Sequence, residues 1–162
     1  MARRRRLGRV VVDTSVVIRA ARAFRQQPPE PNTPELRLVL AWRDDPEIFT
    51  WLYTQEILTE YREILQRLKV PRNAAGRFIK LLAQNAEEVT EPATGEFSPD
   101  PKDDPFYHCA VGDADYIITD NVRDFPPVRN RKRPRILFKL SFYGQLRTYI
   151  VICPGKSAHS AK

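Results

Sequence analysis

Cysteine and histidine are scarce in this chain. Its 162 residues hold Cys109, Cys153, His108 and His159 and no others of either type. None stands at the spacing that tetrahedral zinc sites need, which argues against zinc. Two isolated cysteines in apolar surroundings make a weak case for a disulfide, so a reducing compartment is expected. Long apolar runs are missing too, and no stretch could span a membrane. Arg3 to Arg6 followed by Val10, Val11 and Val12 has the outline of a signal peptide, but Asp13 interrupts the apolar part. A cytoplasmic protein is expected, and the sequence has no internal repeat.

Apolar residues make up 42% and charged residues 29% of the chain, the balance of one folded domain with a real core. The formal net charge is +7. Its cations gather in two runs, Arg3 to Arg6 and the group Arg129, Arg131, Lys132, Arg133 and Arg135. Such a balance favours a polyanionic partner, although arginine-rich termini also serve solubility alone. The expected organisation is a basic arm over residues 1–7, a single domain over 8–153 and a disordered tail over 154–162.

The chain alternates short apolar runs with helical patterns. Val10, Val11 and Val12 read as a buried parallel strand, ended by Asp13, Thr14 and Ser15. A helix is expected over 16–24, then a loop through Pro28, Pro29, Pro31 and Asn32. Thr33 and Pro34 mark a helix start, as cap and first helical residue. A second strand is expected over 48–53, with Thr54 capping a helix that runs to about Leu68. Ile57, Leu58, Tyr61, Ile64, Leu65 and Leu68 lie on one face of that helix. Another helix starts at Pro71. A short strand and a loop follow over 89–101, and a helix capped by Asp103 or Asp104 runs to about Val111. Strands are expected over 116–119 and 136–140. This order predicts an α/β fold, a central parallel sheet flanked by helices on both faces.

Acids fall where such a sheet would gather them at one edge. Asp13 ends the first strand, and ligands of parallel sheets bind at the carboxyl ends of strands. A carboxylate there costs desolvation unless it is paired, and no basic residue is adjacent to it in sequence. A helix cap would be the plainer role. Of the three glutamates on the next amphipathic helix, Glu60 lies nearest the apolar stripe at about 100° per residue, whereas Glu56 and Glu63 turn toward solvent. Asp103 and Asp104 are adjacent, so one of them is expected to face the site. Asp104, closer to the helix that follows, is preferred. Asp100, between Pro99 and Pro101, reads as a turn residue, and Asp113 and Asp115 as exposed turn residues. Asp120, Asn121 and Asp124 follow the strand at 116–119, and any of them could complete a metal shell. Thr14, Ser15 and Thr119 are candidate donors that would orient the carboxylates. The cheapest partner for converging carboxylates is a hard divalent cation, and oxygen-only ligands favour Mg2+ or Mn2+.

These blocks resemble a PIN-domain ribonuclease of the toxin type found in prokaryotic toxin–antitoxin pairs. The resemblance rests on Val10-Val11-Val12-Asp13-Thr14-Ser15, Glu56-Ile57-Leu58-Thr59-Glu60-Tyr61, Asp100-Pro101-Lys102-Asp103-Asp104-Pro105 and Tyr116-Ile117-Ile118-Thr119-Asp120-Asn121, closing on Arg123-Asp124-Phe125. They occur in family order over about residues 8 to 128. The resemblance implies a Rossmann-like PIN fold and Mg2+- or Mn2+-dependent cleavage of RNA. It also implies an antitoxin protein as partner and a homodimer as a common state. By position it puts Asp13, Glu60 and Asp104 at the three main catalytic and metal-binding acids. At the fourth, two residues after Thr119, stands Asn121, with Asp120 and Asp124 to either side.

Cleavage would be phosphodiester hydrolysis, with water activated and the leaving oxygen stabilised by the metal. A phosphatase passing through a phospho-aspartate at Asp13 is disfavoured, because Ser15 stands where its second acid belongs. A catalytically weak or inactive PIN-fold module that binds RNA or protein is the alternative, since fold does not imply function.

Overall fold

The computed structural model describes residues 8–25 and 33–138. The arm at 1–7, the loop at 26–32, the last residues of the strand expected over 136–140 and the tail at 154–162 lie outside or partly outside these residues. Five strands alternate with helices: β1 (Arg9–Val12), α1 (Thr14–Arg25), α2 (Pro34–Asp44), β2 (Thr50–Tyr53), α3 (Gln55–Arg67), α4 (Arg72–Asn85), β3 (Glu87–Glu88), α5 (Asp104–Ala110), β4 (Tyr116–Thr119) and β5 (Arg135–Phe138). A 3-10 turn over Pro101–Asp103 leads into α5.

The strands form one parallel sheet in the order β3-β2-β1-β4-β5. Val10, Val11 and Val12 are fully buried. Successive side chains point to opposite faces, so both faces of β1 are covered, and this explains the unbroken apolar run. The chain moves from β1 outward to β2 and β3, then returns to β4 on the other side of β1. The crossing point therefore lies between the carboxyl ends of β1 and β4, where parallel sheets open a crevice.

An aromatic cluster fixes α3 against the sheet. The ring of Trp51 on β2 lies 5.1 Å from Trp42, 5.8 Å from Phe49, 6.3 Å from Tyr61 and 6.0 Å from Phe78. The Tyr61 hydroxyl donates to the carbonyl of Val12. A buried hydroxyl needs such a partner, and this one ties α3 to the end of β1. Thr54 caps α3 as expected, accepting from the Ile57 amide at 3.3 Å. Thr33 occupies the cap position of α2, with Pro34 in the first turn, but its side chain makes no capping bond. The strand expected after Val89 is instead the two-residue β3, which begins as soon as α4 ends at Asn85.

Candidate active site

Asp13 follows β1 directly, and its amide donates to the Ile118 carbonyl of β4 at 2.8 Å. The residue is 3% exposed. One carboxylate oxygen, Oδ2, accepts from Ser15 Oγ at 2.5 Å and from Thr119 Oγ1 at 2.8 Å. Burial raises the Asp13 pKa, and these hydroxyls, with the Ser15 and Thr14 amides, oppose the rise. Both hydroxyls are themselves held in place. Ser15 Oγ accepts from the Asp120 amide at 3.1 Å, and Thr119 Oγ1 from the Asn121 amide at 2.9 Å. The start of α1 and the end of β4 thus orient one oxygen of Asp13.

Glu60 is half-buried on α3, next to the Tyr61 anchor, whereas Glu56 and Glu63 are exposed. Thr14 Oγ1 donates to Glu60 Oε1 at 2.5 Å. Burial raises the Glu60 pKa, and the charge of Asp13 adds to the rise. Of the three glutamates, the one that helix-face reasoning prefers is the half-buried one, bonded to the residue that follows Asp13.

The adjacent pair divides its work differently from expectation. Asp104 is 6% exposed, and its Oδ1 accepts from the amides of Phe97 and Ser98, both at 2.8 Å. Ser98 Oγ then donates to the Asp124 carbonyl at 2.7 Å. Asp104 fastens the loop before α5, and the loop fastens the backbone at Asp124. Asp103 carries the electrostatic signature of the site. Its pKa is raised to about 7, first by burial and then by the charges of Asp13, Asp100, Asp124 and Glu60. Asp104 is thus occupied by backbone amides, whereas Asp103 feels the charges of Asp13 and Glu60. Helix-start position could not separate the two. Asp103 ends the 3-10 turn ahead of α5, half-buried, and its side chain makes no capping bond.

The acids after β4 also separate. Asp120 is turned to α1, where Arg19 Nε lies 3.2 Å from its Oδ2. Asp124 is half-buried, acts on Asp103 and accepts from Asn121 Nδ2. Arg19 and Ser98 escaped the sequence reading. Arg19 sits two turns or less from Asp13 on α1, and its charge was the available signal. Ser98 matters through a hydroxyl-to-backbone bond that leaves no pattern in sequence.

Among the described residues, no three acids, histidines or cysteines stand close enough to form a ready-made metal cage. The donor chemistry nevertheless fits a hard cation. Asp13, Glu60, Asp103 and Asp124 are hard oxygen donors, and the charges that raise the Asp103 pKa are those of carboxylates. Elsewhere, an apolar groove of 450 Å³ lies between α1, α2 and α4, lined among others by Val17, Phe24, Val39 and Phe78. None of these acids lines it. Cys109 is buried and free, its thiol pushed up to about 12 by burial.

A family model described as PIN domain matches residues 9–123. The chain belongs to the PIN-domain family. PIN domains are generally nucleases and typically use divalent metals. The matched span takes in β1 through β4 and every one of these acids except Asp124. Neither the comparison with curated proteins nor that with solved structures gave a match. Among the described residues, no helix is long and apolar enough to cross a membrane.

Proposed function

We propose that this PIN domain is a Mg2+- or Mn2+-dependent endoribonuclease, with Asp13, Glu60, Asp103 and Asp124 as the residues that would hold the metal. The observation that carries this reading is a buried Asp13 at the crossing point of the sheet, whose charge acts on both Glu60 and Asp103, with Asp124 also acting on Asp103. Mutual repulsion and burial make that arrangement costly unless a cation offsets it. When bound, the cation supplies an activated water and charge stabilisation at the phosphate.

The chain's own residues do the positioning. Ser15 and Thr119 hold one oxygen of Asp13. Thr14 fixes Glu60, and Asp104 steadies the segment that carries Asp124. Asp120 is offset by Arg19 and is better read as part of the wall than as a ligand. RNA is the preferred substrate on the strength of the sequence blocks and the net charge of +7. Single-stranded or looped RNA fits best, because its bases are accessible. The same blocks support a role as the toxin of a toxin–antitoxin pair, which co-expression with the neighbouring open reading frame would test.

The deciding experiment is RNA cleavage with Mn2+ against EDTA, in the parent and in Asp13→Asn. Cleavage is expected only with metal, and the variant should lose more than about 100-fold, beyond what losing a residue that merely orients a ligand costs. Full cleavage by a folded Asp13→Asn protein would sink the assignment. The alternative, a weak or inactive RNA- or protein-binding module, draws on Asn121, which stands at the expected acid position and is bonded to Asp124. RNA binding without metal-stimulated cleavage would favour it.

A further inference from the structure

We propose that the opposite end of the sheet is a second site, one that grips the phosphodiester backbone of single-stranded RNA away from the acids. The choice of RNA as its ligand rests on the nuclease reading above; the site itself rests on charge and topology.

Arg9 begins β1 and Arg135 begins β5, the latter paired in register with Tyr116 at the start of β4. Asp115 links them, its amide donating to the Arg9 carbonyl at 2.7 Å and its carbonyl accepting from the Arg135 amide at 2.9 Å. This is the amino end of the strands, whereas Asp13 and Thr119 mark the carboxyl end. Four residues at about 3.3 Å each put roughly 13 Å of sheet between the two. Phosphates held at this end are therefore not the one being cleaved.

Two of the acids here, Glu87 and Asp115, are already engaged, and a third, Asp113, stands exposed on the floor of the hollow. Glu87 accepts from both terminal nitrogens of Arg9, at 2.9 and 2.7 Å. Asp115 accepts the Arg9 amide at 2.9 Å and lies 2.6 Å from Arg133. The backbone closes in at the same place. Gly8 has φ of +105°, and a Cβ there would stand 2.5 Å from Asp115 Oδ2. Arg129, Arg131, Lys132 and Arg135 are exposed and have no ion-pair partner among the described residues. Arg131, Lys132 and Arg133 border a concave space of 510 Å³ floored by residues 112–115.

That lining selects the ligand class. Gly112 and Ala114 are its only apolar residues, and it has no aromatic ring. A protein partner would want an apolar or aromatic anchor at the centre of its interface. Base readout from single strands would want stacking surfaces. Cations around a polar hollow suit phosphates, which position nucleic acid without reading its sequence. The site should therefore bind RNA of any sequence and should matter only for substrates long enough to reach it.

The test is the full chain against its Arg131→Gln/Lys132→Gln double variant, both exposed positions. Fluorescence anisotropy would follow an oligouridylate of about 20 nucleotides, longer than one single-strand binding fold covers. Binding is read in EDTA across a salt series, and cleavage with Mn2+ on that RNA and on a uridine dinucleotide. The variant is expected to bind the long RNA roughly tenfold more weakly at low salt, with the log–log salt slope reduced by about 1.4, or 0.7 per lost cation. Cleavage of the long RNA should fall in step, and that of the dinucleotide should stay at the parent's rate. Unchanged affinity and slope would overturn the proposal. So would an equal loss on the dinucleotide, which would place these cations in the cleavage site. Displacement of the RNA by polyglutamate at equal charge concentration would also overturn it, in favour of an acidic polypeptide. A chain that binds RNA here but cleaves nothing would refute the nuclease reading and leave this site standing.

Discussion

The two ends of the sheet use the same residue types in opposite ways. At the amino end, Glu87 meets Arg9 and its pKa is lowered by that bond, while Asp115 meets the Arg9 amide and Arg133. At the carboxyl end, Asp13, Glu60 and Asp103 all have raised pKa values, from burial first and from one another's charge in the latter two. At the amino end, Glu87 and Asp115 have each been given a cation by the fold. At the carboxyl end, Asp13 and Glu60 have been given hydroxyls and Asp103 the charges of its fellow acids, while Asp120 pairs with Arg19. Structural acids are neutralised inside the chain; a cluster left to repel itself points to something the chain does not itself supply.

The sharpest way to break this contrast is to remove charge from the repelling cluster. Asp103→Asn is expected to cut RNA cleavage more than about 100-fold, as expected for a direct ligand rather than its supporter, with no loss of thermal stability. Next comes Asp104→Ala, which should behave as a structural lesion. It strips the acceptor from two backbone amides, and about 1.5–3 kcal/mol of unfolding free energy should go with it, the range for bonds to a charged group. Urea unfolding separates the two variants.

The pH response should mark the carboxyl end as well. Asp103 holds its proton up to about pH 7 in the folded chain, against the ordinary carboxylate value of 3.8 when unfolded. Between those values the folded state binds a proton that the unfolded state has lost, so stability falls as pH rises from about 4 to about 7. Water reaches this half-buried group, which limits the expected decline to the order of 1 kcal/mol. Metal-free melting curves across that range should show it, and Asp103→Asn should flatten it. The smallest effect belongs to the amino end. Glu87→Gln breaks an exposed pair and should cost less than about 1 kcal/mol, shrinking further as salt rises.

Much of this architecture was legible because it rests on local signals. Three consecutive valines could only be a buried strand, Thr54 had the cap position of an amphipathic helix, and helical periodicity picked Glu60 from three glutamates. The parallel α/β sheet followed from the alternation of such segments. What escaped depends on contacts far apart in sequence. Asp103 and Asp104 have the same chemistry, and only the fold of the loop at 97–98 onto Asp104 tells them apart. Asp120 and Asp124 were equivalent until Arg19 on α1 engaged Asp120. Asp115, expected as an exposed turn residue, is half-buried between Arg9 and Arg133 for the same kind of reason.

The most direct measurement is the shift in melting temperature caused by Mn2+ in the parent, in Asp103→Asn and in Asp104→Asn. The second variant keeps the carbonyl oxygen that the Phe97 and Ser98 amides need. A ligand that binds only the folded state raises stability by about 2.7 kcal/mol at a hundred times its Kd. Mn2+ should therefore raise the melting temperature of the parent and of Asp104→Asn, each against its own metal-free value, and leave Asp103→Asn nearly unmoved. A full Mn2+ shift in Asp103→Asn, with none in Asp104→Asn, would contradict the assignment of Asp103 to the metal-binding cluster.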